Sequence, residues 1–226
     1  MAAIGAKRGG TDLMQLFYAP RSPFSRKILA AIVELGLTAQ VSLVRVDPWT
    51  DETLRRYNPA GKVPTLLLAD GSALFDSPVI ARYLDSLSEN TLIPPGPQVW
   101  DALRREALGD ALAEAVIRRF VDQLSPRDDR LDRVVARQEA AITAILDRLE
   151  AAADWMRAPI DLGHLAIACA LDYLDGRSPE LAWGAQRHLL AAWFYDFRGI
   201  SSMKIAADPE KGAFRIVNQS HPLAEV

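Results

Sequence analysis

The chain has 226 residues, 50% of them apolar and 24% charged, with a formal net charge of −3 and a pI near 5.7. That composition supplies a core and excludes a disordered or low-complexity chain. No apolar run approaches the roughly 18 residues a membrane-spanning helix needs. Lys and Arg lie scattered among Asp and Glu, which argues against nucleic-acid binding.

Cysteine and histidine bound the chemistry further. The lone Cys169 excludes an internal disulfide framework and any CxxC metal or redox pair. His164, His188 and His221 lack a metal-ligand spacing, so no metal is expected. Residues 1–12 hold two basic residues but no apolar signal region, and read as a disordered leader on a cytoplasmic protein.

In chain order, residues 15–18 (QLFY) read as a short strand. Residues 23–35 follow as a helix with Ile28, Leu29, Ile32 and Val33 on one face, stopped by Gly36. Residues 41–46 (VSLVRV) form a second strand, and a helical crossover predicts that it runs parallel to the first. Residues 65–68 and 73–75 flank Asp70-Gly71, a hairpin signal, and 77–87 read as a helix with Val79, Ile80, Tyr83, Leu84 and Leu87 on one side.

The run Ile93-Pro94-Pro95-Gly96-Pro97 is a stiff linker, and no strand signal follows it. Residues 99–124, 130–154, 161–174 and 181–198 read as helices of a bundle. The reading is an α/β domain at 13–88, a linker at 89–98 and an all-helical domain at 99–226, whose tail from Ala206 shows no pattern.

Three segments of the first domain could carry chemistry. Ser22-Pro23-Phe24-Ser25 follows the first strand. It is ordinary N-cap grammar, yet the same free N–H groups and helix dipole favour an anion such as a thiolate. Asn58-Pro59-Ala60-Gly61-Lys62-Val63-Pro64 reads as a loop. A cis bond before Pro64 would turn the Val63 backbone toward an extended ligand. Leu74-Phe75-Asp76-Ser77-Pro78 repeats the helix-opening grammar, with a carboxylate-binding N-terminus and Asp76 free for an ammonium group.

SPFSRK, NPAGKVP and LFDSPVI, in that order and spacing, resemble the cytosolic glutathione transferase family. ACALDYLD and LLAAWFYDF resemble the helical domain of its bacterial members, and the likeness runs from Leu16 to Phe197. It implies a thioredoxin-like N-terminal domain, a C-terminal helical bundle and a homodimer. Ser22 aligns with the family's catalytic serine or cysteine. Val63 would pair its backbone with the cysteinyl unit of glutathione, with Pro64 in cis. Asp76 would hold the γ-glutamyl ammonium and Ser77 its carboxylate. Lys62 would reach the glycyl carboxylate, or is simply a solvated loop lysine.

A serine hydroxyl is too weak a base to take a thiol proton, so Ser22 would instead donate a hydrogen bond to the ionised sulfur. Tyr18 competes for that role and is otherwise a packed strand residue, while Ser25 reads as a first-turn helix residue. Asp161 and His164 stand where relatives carry a Ser/Thr-x-x-Asp box, and His164 is expected to close it less well.

The resemblance thus implies transfer of glutathione, as co-substrate, to a small hydrophobic electrophile. The cleft between the domains would hold that electrophile, with Phe24 and Tyr18 near enough to line it. Trp100 and Phe120 are equally explained as core. Relatives include detoxifying transferases, isomerases, dehalogenases and ether-cleaving enzymes. A non-catalytic glutathione-binding module and a glutathione-dependent disulfide oxidoreductase stand as alternatives.

Overall fold

The computed structural model describes residues 13–122, 124, 128–212 and 214–217, so the leader read at 1–12 and residues 218–226 of the tail lie outside it. Strand β1 (Met14–Tyr18) leads into helix α1 (Pro23–Glu34), and β2 (Val41–Arg45) returns parallel to β1 with Phe17 opposite Val44. Gly36 stops α1 at φ +71, the left-handed region that a residue with a Cβ disfavours. The N–H groups of Gly36 and Leu37 reach back to the carbonyls of Val33 (3.1 Å) and Ile32 (2.9 Å), which satisfies the helix end.

A short helix, α2 (Glu52–Tyr57), went unread because six residues show no period. Asp51 starts it by accepting from the Leu54 N–H at 2.8 Å. Strands β3 (Thr65–Leu67) and β4 (Ala73–Leu74) form the hairpin, and α3 (Ser77–Asp85) follows. Leu54 of α2 covers one sheet face with Phe17, Val44 and Val46, while α1 and α3 cover the other.

The long helices are α4 (Gln98–Asp122), α5 (Asp129–Ala151) and α6 (Leu162–Arg177). Helix α6 is buried almost all round, from Leu162 through Leu171, as its continuous apolar run requires. Leu162, Leu165 and Cys169 share a buried cluster with α1 and β1, while Ile167 and Leu171 face α4 and α5. One helix therefore glues sheet layer to bundle.

Asp161 and His164 close their box in both directions, through His164 N–H to Asp161 (3.1 Å) and Asp161 N–H to His164 Nδ1 (3.2 Å). The imidazole is held by the Trp155 carbonyl at its other nitrogen (2.9 Å), and Arg105 of α4 pairs with Asp161. Histidine thus serves the box because a third group fixes its ring.

Two readings need correction. Residues 181–198 are not one helix: Pro179–Leu181 and Trp183–Gln186 are single 3₁₀ turns, hinged at Ala182 with φ 42. Helix α7 spans only His188–Phe197, and it lacks a local cap. The Glu150 carboxylate from α5 accepts from the Leu189 (3.1 Å) and Leu190 (2.7 Å) N–H groups instead. After it comes α8 (Ser201–Ala207), packed on α1.

The second correction concerns the tail, where no strand was read. Strand β5 (Arg215–Ile216) pairs parallel with β2, completing a five-stranded sheet in the order β4-β3-β1-β2-β5. Two residues carry no legible alternation.

Two predictions follow from this packing. A Cβ on Gly109 of α4 would sit 2.6 Å from the backbone of Ala166 and Ile167. Gly109→Ala should therefore lower stability by about 1–3 kcal/mol in urea unfolding. Cys169 is buried, and burial pushes its thiol up to about 12. It should resist a thiol-specific disulfide reagent at mildly alkaline pH and react only once the chain is unfolded.

Candidate functional site

Strand register gathers the candidate residues. Strand β3 is antiparallel to both β1 and β4, with Phe17 opposite Thr65 and Leu66 opposite Leu74. The C-terminal ends of β1 and β4 and the N-terminal end of β3 therefore share one end of the sheet. Ser22 follows the first, Asp76 and Ser77 follow the second, and Val63 and Pro64 precede the third.

At the start of α1, Ser22 Oγ accepts from the Ser25 N–H at 3.2 Å. Its own hydroxyl hydrogen stays available to donate. Pro23 has no N–H, and the Phe24 N–H has no acceptor among the described residues. The capped N-terminus thus offers a donor pair, hydroxyl and amide, beside the positive end of α1.

The loop before β3 is built on Asn58, which is buried. Its amide donates to the Lys62 carbonyl and to Thr65 Oγ1, both at 3.0 Å, and its carbonyl accepts from the Ala60 N–H at 3.1 Å. Gly61 turns at φ +61 with the Arg55 guanidinium pressed against it, where a Cβ would lie 2.6 Å from Arg55 Nη1. Val63–Pro64 is cis, as is Phe75–Asp76. The Val63 backbone has no hydrogen-bond partner among the described residues, and the Lys62 side chain is exposed.

Asp76 caps α3 by accepting from the Ser77 N–H. Ser77 Oγ is buried with no hydrogen-bond partner among the described residues. An orphaned hydroxyl at a helix N-terminus is a group in want of an acceptor or donor.

Sequence reasoning missed the ion cluster behind these turns. Lys27, on the first turns of α1 and 1% exposed, donates to Glu106 (3.2 Å) and Asp110 (2.7 Å) of α4. Arg82 of α3 takes the other Glu106 oxygen at 3.0 Å. Burial pushes the Asp110 carboxyl up against the opposing pull of Lys27, and the nearby charges of Glu106 and Asp76 add to the rise. Lys27 and Glu106 each sit among apolar helix residues, a pattern that could have flagged a buried pair.

Tyr18 is 0% exposed and faces the core between the sheet, α1 and α8, so it does not line a cleft. Burial, then Glu210, push its phenol above the ordinary range while Arg45 opposes. Phe24 packs on the bundle core, and Phe120 lies under the Arg177 guanidinium at 4.4 Å. Trp100 is 72% exposed, so it is not core.

Residues 21–87 match the glutathione S-transferase N-terminal domain family. A glutathione transferase family member from Pseudomonas fluorescens Pf-5, crystallised with bound glutathione, is 34% identical. It superposes with a TM-score of 0.80 over 85% of this chain and 98% of its own. A glutathione S-transferase from Methylobacillus flagellatus KT, also with glutathione bound, is 29% identical over 86% of this chain and 98% of its own, with a TM-score of 0.79. The uncharacterized GST-like protein YibF of Escherichia coli (strain K12) is 31% identical over 184 residues, 78% of this chain and 90% of YibF. With a thioredoxin-like sheet layer joined to a helical bundle and these likenesses spanning both, the chain belongs to the glutathione transferase family.

Proposed function

We propose that the chain binds glutathione across the shared end of its sheet and activates the thiol for attack on a small electrophile. The observation that carries this reading is the convergence of three unsatisfied sets of groups there: the Ser22 hydroxyl with the Phe24 N–H, the Val63 backbone, and the Ser77 hydroxyl. The two relatives crystallised with glutathione support it. In this reading the Val63 backbone pairs with the cysteinyl unit. Ser77 takes the γ-glutamyl carboxylate, Asp76 the ammonium and Lys62 the glycyl carboxylate.

The cysteinyl sulfur then lies over the N-terminus of α1. Ser22 stabilises the thiolate as a donor; it takes no proton, which passes to solvent. The buried Tyr18 ring favours Ser22 over Tyr18 for that role. Buried Cys169 gives no support to a redox mechanism of the chain's own.

Asp76→Ala should weaken glutathione binding by roughly 1.5–3 kcal/mol in calorimetry, the range for a hydrogen bond to a charged group. Ser22→Ala should raise the bound thiol's pKa by about one or two units, read by ultraviolet titration of the thiolate. Turnover near neutral pH should fall at least about tenfold and partly recover as pH rises, since a thiol that ionises later needs more base. Tyr18→Phe should do far less, and a larger effect there would move the role to the tyrosine.

A homodimer belongs to the same reading, built on the exposed Val79 and Leu87 beside α3's core face and on Trp100 of α4. Sedimentation at micromolar concentration should give twice the mass of one chain; a single-chain mass would refute it.

A further inference from the structure

A cavity of about 380 Å³ opens beside the turn that carries Ser22. Its walls are Pro20 and Arg21 of that turn, Arg26 of α1, and Asp172, Tyr173 and Arg177 of α6. A Cβ on Gly176, which also borders the cavity, would meet nothing within 4 Å, so that side is open to an entering molecule.

The charge here is unbalanced. Three guanidinium groups face one carboxylate, and Asp172 is already paired with Arg26. Arg21 is exposed and, like Arg177, has no carboxylate partner among the described residues. Arg177 is also held in orientation. Its central carbon stands 4.4 Å from the Phe120 ring centroid and 5.4 Å from that of Tyr173. These cation–π contacts restrict the guanidinium, and a restricted planar guanidinium suits a bidentate carboxylate. Tyr173 adds an aromatic wall.

We infer that this cavity receives the second substrate, and that this substrate is an electrophile bearing a carboxylate, which Arg177 and Arg21 bind. The inference rests on the glutathione reading above and adds a substrate class to it. Pro20 and Arg21 of the cavity wall immediately precede Ser22, which sets the anion beside the turn over which the sulfur is proposed to lie. In the reaction the thiolate sulfur forms a bond to that carbon. The bond to the leaving group breaks with its electron pair departing on the leaving group, and the thiol proton has already passed to solvent.

The test compares three ligands by calorimetry: glutathione, its S-conjugate with a chlorodinitrobenzoate, and the matching conjugate in which an uncharged carboxamide replaces the carboxylate. The carboxylate conjugate should bind the unaltered protein about tenfold more tightly than the carboxamide conjugate, as charge-assisted bonds to arginine imply. Arg177→Gln should remove most of that ratio and leave glutathione binding unchanged. Arg21→Gln, a change at an exposed position, should lower the ratio without any risk to folding. Equal binding of the two conjugates by the unaltered protein would overturn the carboxylate site while leaving the glutathione reading intact. Failure of all three ligands to bind would instead overturn the glutathione reading, and this inference with it.

Discussion

The structure hangs on one buried ammonium. Lys27 has almost no contact with water, and the cost of burying a lone charge is met only because Glu106 and Asp110 surround it. Leaving such a group without its partners costs about 3–5 kcal/mol, so α1 is pinned to α4. Arg82 then ties α3 to the same Glu106. The helices that start at Ser22 and at Ser77 are thus clamped to a common post, and the distance between the two ends of the proposed glutathione site is fixed by ions that need not touch glutathione. This is a fold in which specificity of position is obtained from charge buried behind the site.

The groups offered to a ligand mix backbone and side chain. The N-terminus of α1, the Val63 peptide, the Ser22 and Ser77 hydroxyls and the charged Asp76 and Lys62 side chains make up the candidate surface, and none of them is a thiol. Such a surface suits a ligand that brings its own sulfur. It also explains why local turn chemistry matters so much: Asn58 holds the loop carrying Val63 from a buried position, through hydrogen bonds with Lys62, Thr65 and Ala60.

What the sequence made legible was whatever has a period or a punctuation mark. The strand and helix order of the first layer, the Ser-Pro opening at Ser22 and the Gly36 stop all have local physical signals and stand in the structure at those places, whereas at the second Ser-Pro the cap falls one residue earlier, on Asp76, with Ser77 as the first helical residue. Elements set by distant partners were not legible. Helix α7 begins where Glu150 of another helix caps it, so its start carries no N-cap signal of its own. Strand β5 exists because β2 offers an edge. The Lys27 cluster joins residues far apart in sequence. His164 looked like a weak box partner because the Trp155 carbonyl that fixes its ring cannot be seen from the motif. Strand register brings Ser22, Val63, Asp76 and Ser77 to one end of the sheet, while their individual roles rest on the family resemblance.

The pairing of β5 with β2 also bears on how the protein is made. The sheet that opens at Met14 gains its last strand only at Arg215–Ile216, so a nascent chain leaves β2 with a bare edge until those distant residues have been made. Helix α8, which covers α1, comes almost as late. The first layer therefore cannot reach its final form vectorially, strand after strand; it must wait, partly uncovered, for residues 201–216 to return to it.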